Sequence, residues 1–342
     1  MAPIIRYKIR TALLPFIITG LLTGVFVCYF QQAWIWLNMV FGFAIGGTIF
    51  LILFSYTDYL HSKLTKRFSL FISLLLLSLF YVIVIYSVSL FYSILSNINN
   101  LNWIINNFSS YISLDIFTYG LIFGLIISFL LNFVFIIDIL MGNKVLINML
   151  AGKYHRPVTE TRFFLFIDLR GSTTIAEKLG SVKFMQFLND FYYDLSDPVI
   201  MSKGEIYKYV GDEIIITWKE KPGKRNNNCF RCFLLCREKL ERDQSKYLAK
   251  YDVKPEFRAG LHFGEVVTGE LGYIRKEITF LGDVLNATSR IMEECKNQQT
   301  DLIVSDMAAG LLSPTPLLKE IGPVMLRGKS KEIILYAYRP EQ

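Results

Sequence analysis

Nowhere in the 342 residues do Lys and Arg form a run interleaved with aromatic side chains. The formal charge of +7, from 36 basic and 29 acidic residues, is spread along the chain, so a nucleic-acid surface is not indicated. Basic groups beside a membrane and a polyanionic nucleotide explain the surplus more simply. Cysteine is scarce as well: the five present form no disulfide framework, which fits a reducing compartment. Cys229, Cys232 and Cys236 share one face of an expected helix with Phe233. No fourth ligand is near, so the trio reads as apolar packing and not as a metal or cluster site. Cys28 lies in an apolar stretch and Cys295 stands alone.

Charge is what the first part of the chain lacks. Four stretches, residues 12–30, 34–57, 70–94 and 117–141, are apolar over the roughly 20 residues a helix needs to cross a bilayer, and Tyr, Trp and Phe crowd their ends. The first is too long in its apolar core for a cleaved signal peptide, and the second follows almost at once. The loops at 31–33 and 96–115 contain no Lys or Arg, whereas Arg6, Lys8, Arg10, Lys63, Lys66, Arg67 and Lys144 mark the alternate sides. The positive-inside rule then places both termini and the second half of the chain in the cytoplasm, with the protein integral to the plasma or inner membrane. Asp138 is the one acid deep in a span, close to its cytoplasmic end.

After Lys144 charged residues become frequent and the chain reads as a soluble α/β domain. The expected organisation is a membrane region at 1–141, a linker at 142–160 and a catalytic domain at 161–340. A strand is expected to end at Asp168 and a helix to start at Ser172-Thr173, with Ser172 as its N-cap. A longer helical pattern covers 182–199. Strands at 204–208 and 213–218 flank the Val210-Gly211-Asp212 turn as a hairpin. Strands at 258–263, 265–269 and 274–281, a helix at 286–295, and strands at 302–304 and 333–337 complete a mostly antiparallel sheet covered by helices. Asp168 and Asp212 both fall at strand ends. Carboxylates so placed can sit side by side, as hard divalent cations prefer, and two metals held this way suit phosphoryl or nucleotidyl transfer.

Four motifs in order carry a resemblance. They are Phe166-Ile167-Asp168-Leu169-Arg170-Gly171-Ser172-Thr173, Lys208-Tyr209-Val210-Gly211-Asp212, Leu281-Gly282-Asp283-Val284-Leu285-Asn286-Ala287-Thr288-Ser289-Arg290, and Leu326-Arg327-Gly328-Lys329. From Thr161 to Arg339 the chain resembles the class III nucleotidyl cyclases, whose catalytic domain is an α+β sandwich with a ferredoxin-like palm. The resemblance implies two Mg²⁺ or Mn²⁺ ions per site, held by Asp168, Leu169 and Asp212, with Gly171, Ser172 and Thr173 offering N–H groups to the triphosphate. It implies Lys208 and Thr279 as the base-recognising pair, Asn286 orienting the ribose, Arg290 stabilising charge on the α-phosphate and Lys329 as a phosphate contact. It also implies a head-to-tail homodimer, since the family splits its site between subunits and this chain carries every part.

Many family members carry Asp where Thr279 stands, and the Lys/Thr pair resembles a subgroup associated with bicarbonate or CO₂ stimulation. Lys208 only donates and a Thr hydroxyl can accept. That pattern suits adenine, which accepts at N1 and donates at N6, so ATP is the expected substrate. The Glu and Cys pairing of guanylyl cyclases is missing. Gly211-Asp212-Glu213 echoes the signature of diguanylate cyclases, but the paired glycines and following Phe are lacking. A degenerate, non-catalytic membrane sensor would require loss of a metal Asp or of Arg290, and both are kept. The segment at 138–162, with Gly152-Lys153-Tyr154-His155-Arg156-Pro157, resembles the transducing element that precedes cyclase domains.

Overall fold

The computed structural model describes residues 148–149, 152–274, 276–329 and 331–340, and in the first half only Ile17, Leu21, Ile72, Leu75, Leu76, Leu79, Ile83 and Ser87. The chain separates into two compact units, Met1–Leu140 and Met141–Gln342. Almost all of the four expected spans, the basic residues that orient them, Asp138 and Cys28 lie outside the described residues. Those described at 72–87 are helical and exposed. Among the described residues no helix is long and apolar enough to cross a membrane.

The second unit is built on an eight-stranded sheet. Its longer helices and its strands are β1 (Val158–Leu169), α1 (Ser172–Met201), β2 (Glu205–Val210), β3 (Glu213–Lys219), α2 (Asn228–Arg242), α3 (Gln244–Tyr251), β4 (Phe257–Leu271), β5 (Glu277–Leu281), α4 (Asp283–Asn297), β6 (Leu302–Ser305), β7 (Leu318–Val324) and β8 (Ile333–Tyr338). The strand order is β2-β3-β1-β4-β6-β8-β7, with β5 paired to β4. Every pairing is antiparallel except β4 with β6.

β1 is central and dry on both faces, so it reads in the sequence as the unbroken run Phe163–Ile167 rather than as an alternation. Phe163, Leu165, Ile167 and Leu169 pack with Ile214, Ile216 and Trp218 into the core beneath α1, α2 and α3. Phe164 and Phe166 face the other way, with Ile215, Val266, Phe280, Val284 and Met292. Each such side chain contributes about 1.5–3 kcal/mol by leaving water. Cys229, Cys232 and Cys236 are fully buried on α2 in the first of these cores, as the packing reading expects. Burial pushes the Cys229 and Cys236 thiols far up, which leaves them inert as nucleophiles.

Several boundaries depart from expectation. β1 begins at Val158, inside the segment read as linker. α1 is two helical pieces in sequence, broken at Gly180 with φ +72° and ψ 158°, and the two expected helical stretches correspond to them. Ser172 is not the cap of α1. Gly171 holds that place in a left-handed conformation without a side-chain cap, and Ile175 N–H bonds back to its carbonyl at 2.9 Å. The strands expected at 258–263 and 265–269 are one strand, β4. Gly264 looked like a break, yet it is needed because a Cβ there would lie 2.5 Å from Val284 Cγ2. α3 and β7 were not foreseen. β7 is hidden by Gly322-Pro323 and a register shift between Glu320 and Gly322, which blur its alternation.

α4 seats directly on β4 because Gly260 leaves room for it. A Cβ at Gly260 would stand 2.8 Å from Met292 Cβ, from the Met292 amide and from the Thr288 carbonyl. Two of these are main-chain atoms that cannot swing aside. Gly260→Ala is therefore expected to cost about 1–3 kcal/mol. Thermal melting of the purified chain should show the second unit's midpoint lowered by about 2–4 °C for each kcal/mol; an unchanged midpoint would contradict this packing.

Candidate active site

Two local devices bring the acidic groups together. β1 pairs with β3 so that Asp168 stands opposite Glu213, and β2 returns to β3 through the two-residue loop Gly211-Asp212, closed by Val210 opposite Glu213. Gly211 adopts φ +61°, as a two-residue hairpin loop of this kind demands. The Tyr192 hydroxyl donates to the Gly211 carbonyl at 2.9 Å and its ring packs on Tyr209 at 4.5 Å, which pins the loop to α1. Asp168 and Asp212 thus line one cleft of about 680 Å³, together with Leu169, Gly171, Ser172 and Thr173. The Leu169 side chain is in the core, so only its main chain can serve the cleft.

Arg258, which sequence reasoning missed, lies in the same cleft. It stands opposite Asp168 in the β1–β4 ladder and donates to Asp168 Oδ2 from Nε at 2.8 Å and from Nη2 at 2.6 Å. The available signal was a lone cation at the start of an apolar strand. Burial pushes the Asp168 carboxyl up, Arg258 opposes this, and Asp212 adds to it. Glu213 is pushed up to about 7, first by burial and then by Asp168 and Asp212, against Arg258.

A cleft in which Asp212 disfavours the charge of Asp168 and of Glu213 offers the oxygen donor set that a hard divalent cation relieves. Asp168, Asp212 and the Leu169 main chain fit that role. Among the described residues no three His, Cys, Asp or Glu side chains group as a metal site, so the remaining oxygens would come from the main chain, water or the nucleotide.

The other expected site residues do not line this cleft. Lys208 and Thr279 belong to a second assembly. β2 carries a register shift between Ile206 and Lys208, so Tyr207 is an extra residue that re-aims its neighbour. Lys208 Nζ donates to Glu277 Oε2 at 3.1 Å, two residues before Thr279 on β5. Asn286 is exposed on α4, and Arg290, one turn later, pairs with Glu293 at 3.2 Å. Lys329 pairs with Asp283, the first residue of α4. Lys208 lies four residues before Asp212 on the same hairpin, whereas Thr279 lies on β5, which joins the far end of β4. Arg258 marks one end, and Gly269, the register partner of Thr279, marks the other, separated by roughly 35 Å of strand.

The carboxylate cluster gives a pH test. The folded-state value of Glu213 lies above the ordinary 4.5. Its contribution to stability is therefore full below about pH 4.5 and is lost as pH rises through 7. In metal-free protein, Glu213→Gln should gain in melting temperature relative to wild type between pH 5 and pH 8. An equal offset at the two pH values would contradict the assignment.

The family described as the adenylate and guanylate cyclase catalytic domain matches residues 156–338. Adenylate cyclase 2 of Rhizobium meliloti is 32% identical over 215 residues, covering 62% of this chain and 59% of that protein. An adenylate cyclase of Anabaena cylindrica is 26% identical over 187 residues, 52% of this chain and 36% of that one. The chain thus spans less than two thirds of the length of these curated relatives. A bacterial light-regulated adenylyl cyclase of known structure shares the fold, with a TM-score of 0.54 at 18% identity over 62% of this chain and 64% of that chain. With more than half its length matched, and the two strand-end aspartates in one cleft, the chain belongs to the adenylate and guanylate cyclase catalytic domain family.

Proposed function

We propose that this protein is an adenylate cyclase that converts ATP to 3′,5′-cyclic AMP and pyrophosphate at sites shared between the two subunits of a homodimer. The observation that carries this reading is the division of the site residues. The cleft holds Asp168, Asp212 and Arg258 but none of Lys208, Thr279, Asn286 and Arg290, and Lys208 pairs instead with Glu277 on β5. A head-to-tail copy would set the recognition end of one subunit against the acidic cleft of the other, twice. The exposed β4–β5 turn, with Tyr273 95% and Ile274 100% accessible, offers apolar surface for such a partner.

In the reaction the ribose 3′-oxygen bonds to the α-phosphorus, the bond from that phosphorus to the bridging oxygen breaks, and pyrophosphate departs with the bond's electrons while the 3′-hydroxyl proton is lost. Bound divalent ions would lower the pKa of that hydroxyl and neutralise the leaving phosphates; Asp168, Leu169 and Asp212 would hold them. Gly171, Ser172 and Thr173 would present N–H groups to the phosphates at the start of α1, beside the Arg258 guanidinium. Asn286 and Arg290 share a face of α4. The first would orient the ribose and the second would stabilise charge building on the α-phosphate. Lys329 would add a phosphate contact.

The donor–acceptor pair of Lys208 and Thr279 suits adenine, and the names of the Rhizobium and Anabaena relatives agree with ATP as substrate. The four apolar runs of the first half support anchoring in the plasma or inner membrane, with the catalytic unit on the cytoplasmic side.

Purified protein with Mn²⁺ should form cyclic AMP, with kcat/KM for ATP about 100-fold or more above that for GTP. Asp168→Asn and Asp212→Asn should each lower the rate by at least about 100-fold with the melting profile retained. Equal use of ATP and GTP, or near wild-type rates in either variant, would overturn the assignment.

The shared site has its own test. Asp168→Ala and Arg290→Ala should each be inactive alone and regain about a quarter of wild-type activity when co-expressed. Random mixing makes about half of the dimers mixed, each with one intact site. No recovery, despite isolated mixed dimers, would refute a site assembled across the interface.

A further inference from the structure

Arg162 is 2% exposed in the middle of the sheet, six residues before Asp168, and the chemistry above makes no use of it. Its Nε donates to Glu160 Oε2 at 2.8 Å and its Nη1 to Glu205 Oε2 at 3.0 Å. Its guanidinium carbon lies 4.7 Å from the centre of the Phe280 ring. These contacts reach from β1 to the first residue of β2 and to β5. Phe280 in turn packs on Tyr207 with ring centroids 4.7 Å apart, and its amide donates to the Tyr207 hydroxyl at 3.4 Å. Thr279 precedes Phe280 and Lys208 follows Tyr207, so the guanidinium underlies the contact between the two strands that carry the recognition pair.

Packing alone does not account for a guanidinium here. An apolar side chain of similar volume would fill the space without the cost of taking a charge out of water. It could not hold a carboxylate of β2 in the plane of a fork while lying against an aromatic ring of β5.

We propose that Arg162 is a positioning residue for base recognition, fixing β5 against β2 so that Lys208 and Thr279 meet a single purine edge. The inference rests on the cyclase reading above. Arg162 touches no substrate and acts through Phe280 and Glu205. A donor and an acceptor must be held to within about 0.5 Å to read one edge together. When β5 shifts, one of them is left unpaired with the correct base, and the penalty that excludes the wrong base weakens.

The test compares kcat/KM for ATP and for GTP in the full chain with Mn²⁺, for wild type, Arg162→Met, Arg162→Lys and Phe280→Leu. The ratio of the two constants does not depend on the fraction of protein folded, so a merely structural role leaves it unmoved. Arg162→Met and Phe280→Leu should each lower the ATP-to-GTP ratio by about tenfold, mainly through KM for ATP, and Arg162→Lys should fall between them and wild type. Ratios within twofold of wild type in both variants would overturn the proposal. If Arg162→Met does not fold, Phe280→Leu, which leaves the ion cluster whole, decides alone. A wild type that forms no cyclic nucleotide from either substrate would instead remove the cyclase reading, and this inference with it.

Discussion

The ladder between β1 and β4 is the constraint from which the rest of the catalytic unit follows. Twelve residues pair without a slip, from Val158 opposite Thr268 to Leu169 opposite Phe257. Because both faces of β1 are dry, a slip of one residue would turn phenylalanines from one core into the other and carry Asp168 with them. The ladder therefore fixes which side chain meets Asp168, and that side chain is Arg258. A carboxylate buried to 9% exposure is costly unless paired, and the guanidinium offsets that cost while leaving the cleft rich in both signs of charge. The same ladder sets the far end, where β5 joins β4 and Thr279 stands opposite Gly269.

A good part of this was legible in the sequence, for identifiable reasons. The strand ending at Asp168 announces itself through five consecutive apolar residues, and the hairpin through Gly211-Asp212 between apolar runs. α4 is marked by its periodic face. What failed to show is equally specific. Gly264 suggests a chain break but is a close approach of a helix, visible only once Val284 is placed. The cap of α1 looks like Ser172 because serine usually takes that role, whereas Gly171 does so through its backbone alone. Arg258 looks like any cation at a strand start until the register sets it against Asp168. The extra residue at Tyr207 has no sequence signal, yet it decides how Lys208 is presented.

The chain also separates groups that look interchangeable in composition. Asp168 and Asp212 share one cleft, and Asp194 is as deeply buried as Asp168. Asp194, though, is held by the Tyr247 hydroxyl at 2.6 Å and Lys246 at 2.8 Å and knits α1 to α3. One buried carboxylate is saturated by donors; Asp168 faces a cleft, where burial and the neighbouring Asp212 raise its proton affinity. That contrast, more than burial itself, separates a structural acid from a chemical one.

β4 has a further property that follows from its length. Between Gly260, against α4, and Gly269, opposite Thr279, it runs unbroken, with successive side chains on opposite faces. Its parity is therefore information. Deleting a single residue in that stretch would shorten it by only about 3.4 Å, but every position beyond would change faces. Val266 would leave the core and Gly264 would no longer meet Val284. Changes of two residues preserve the faces and alter only the span. Length variation in this strand should thus be tolerated in even steps and rejected in odd ones, a rule set by geometry and independent of which nucleotide the protein consumes.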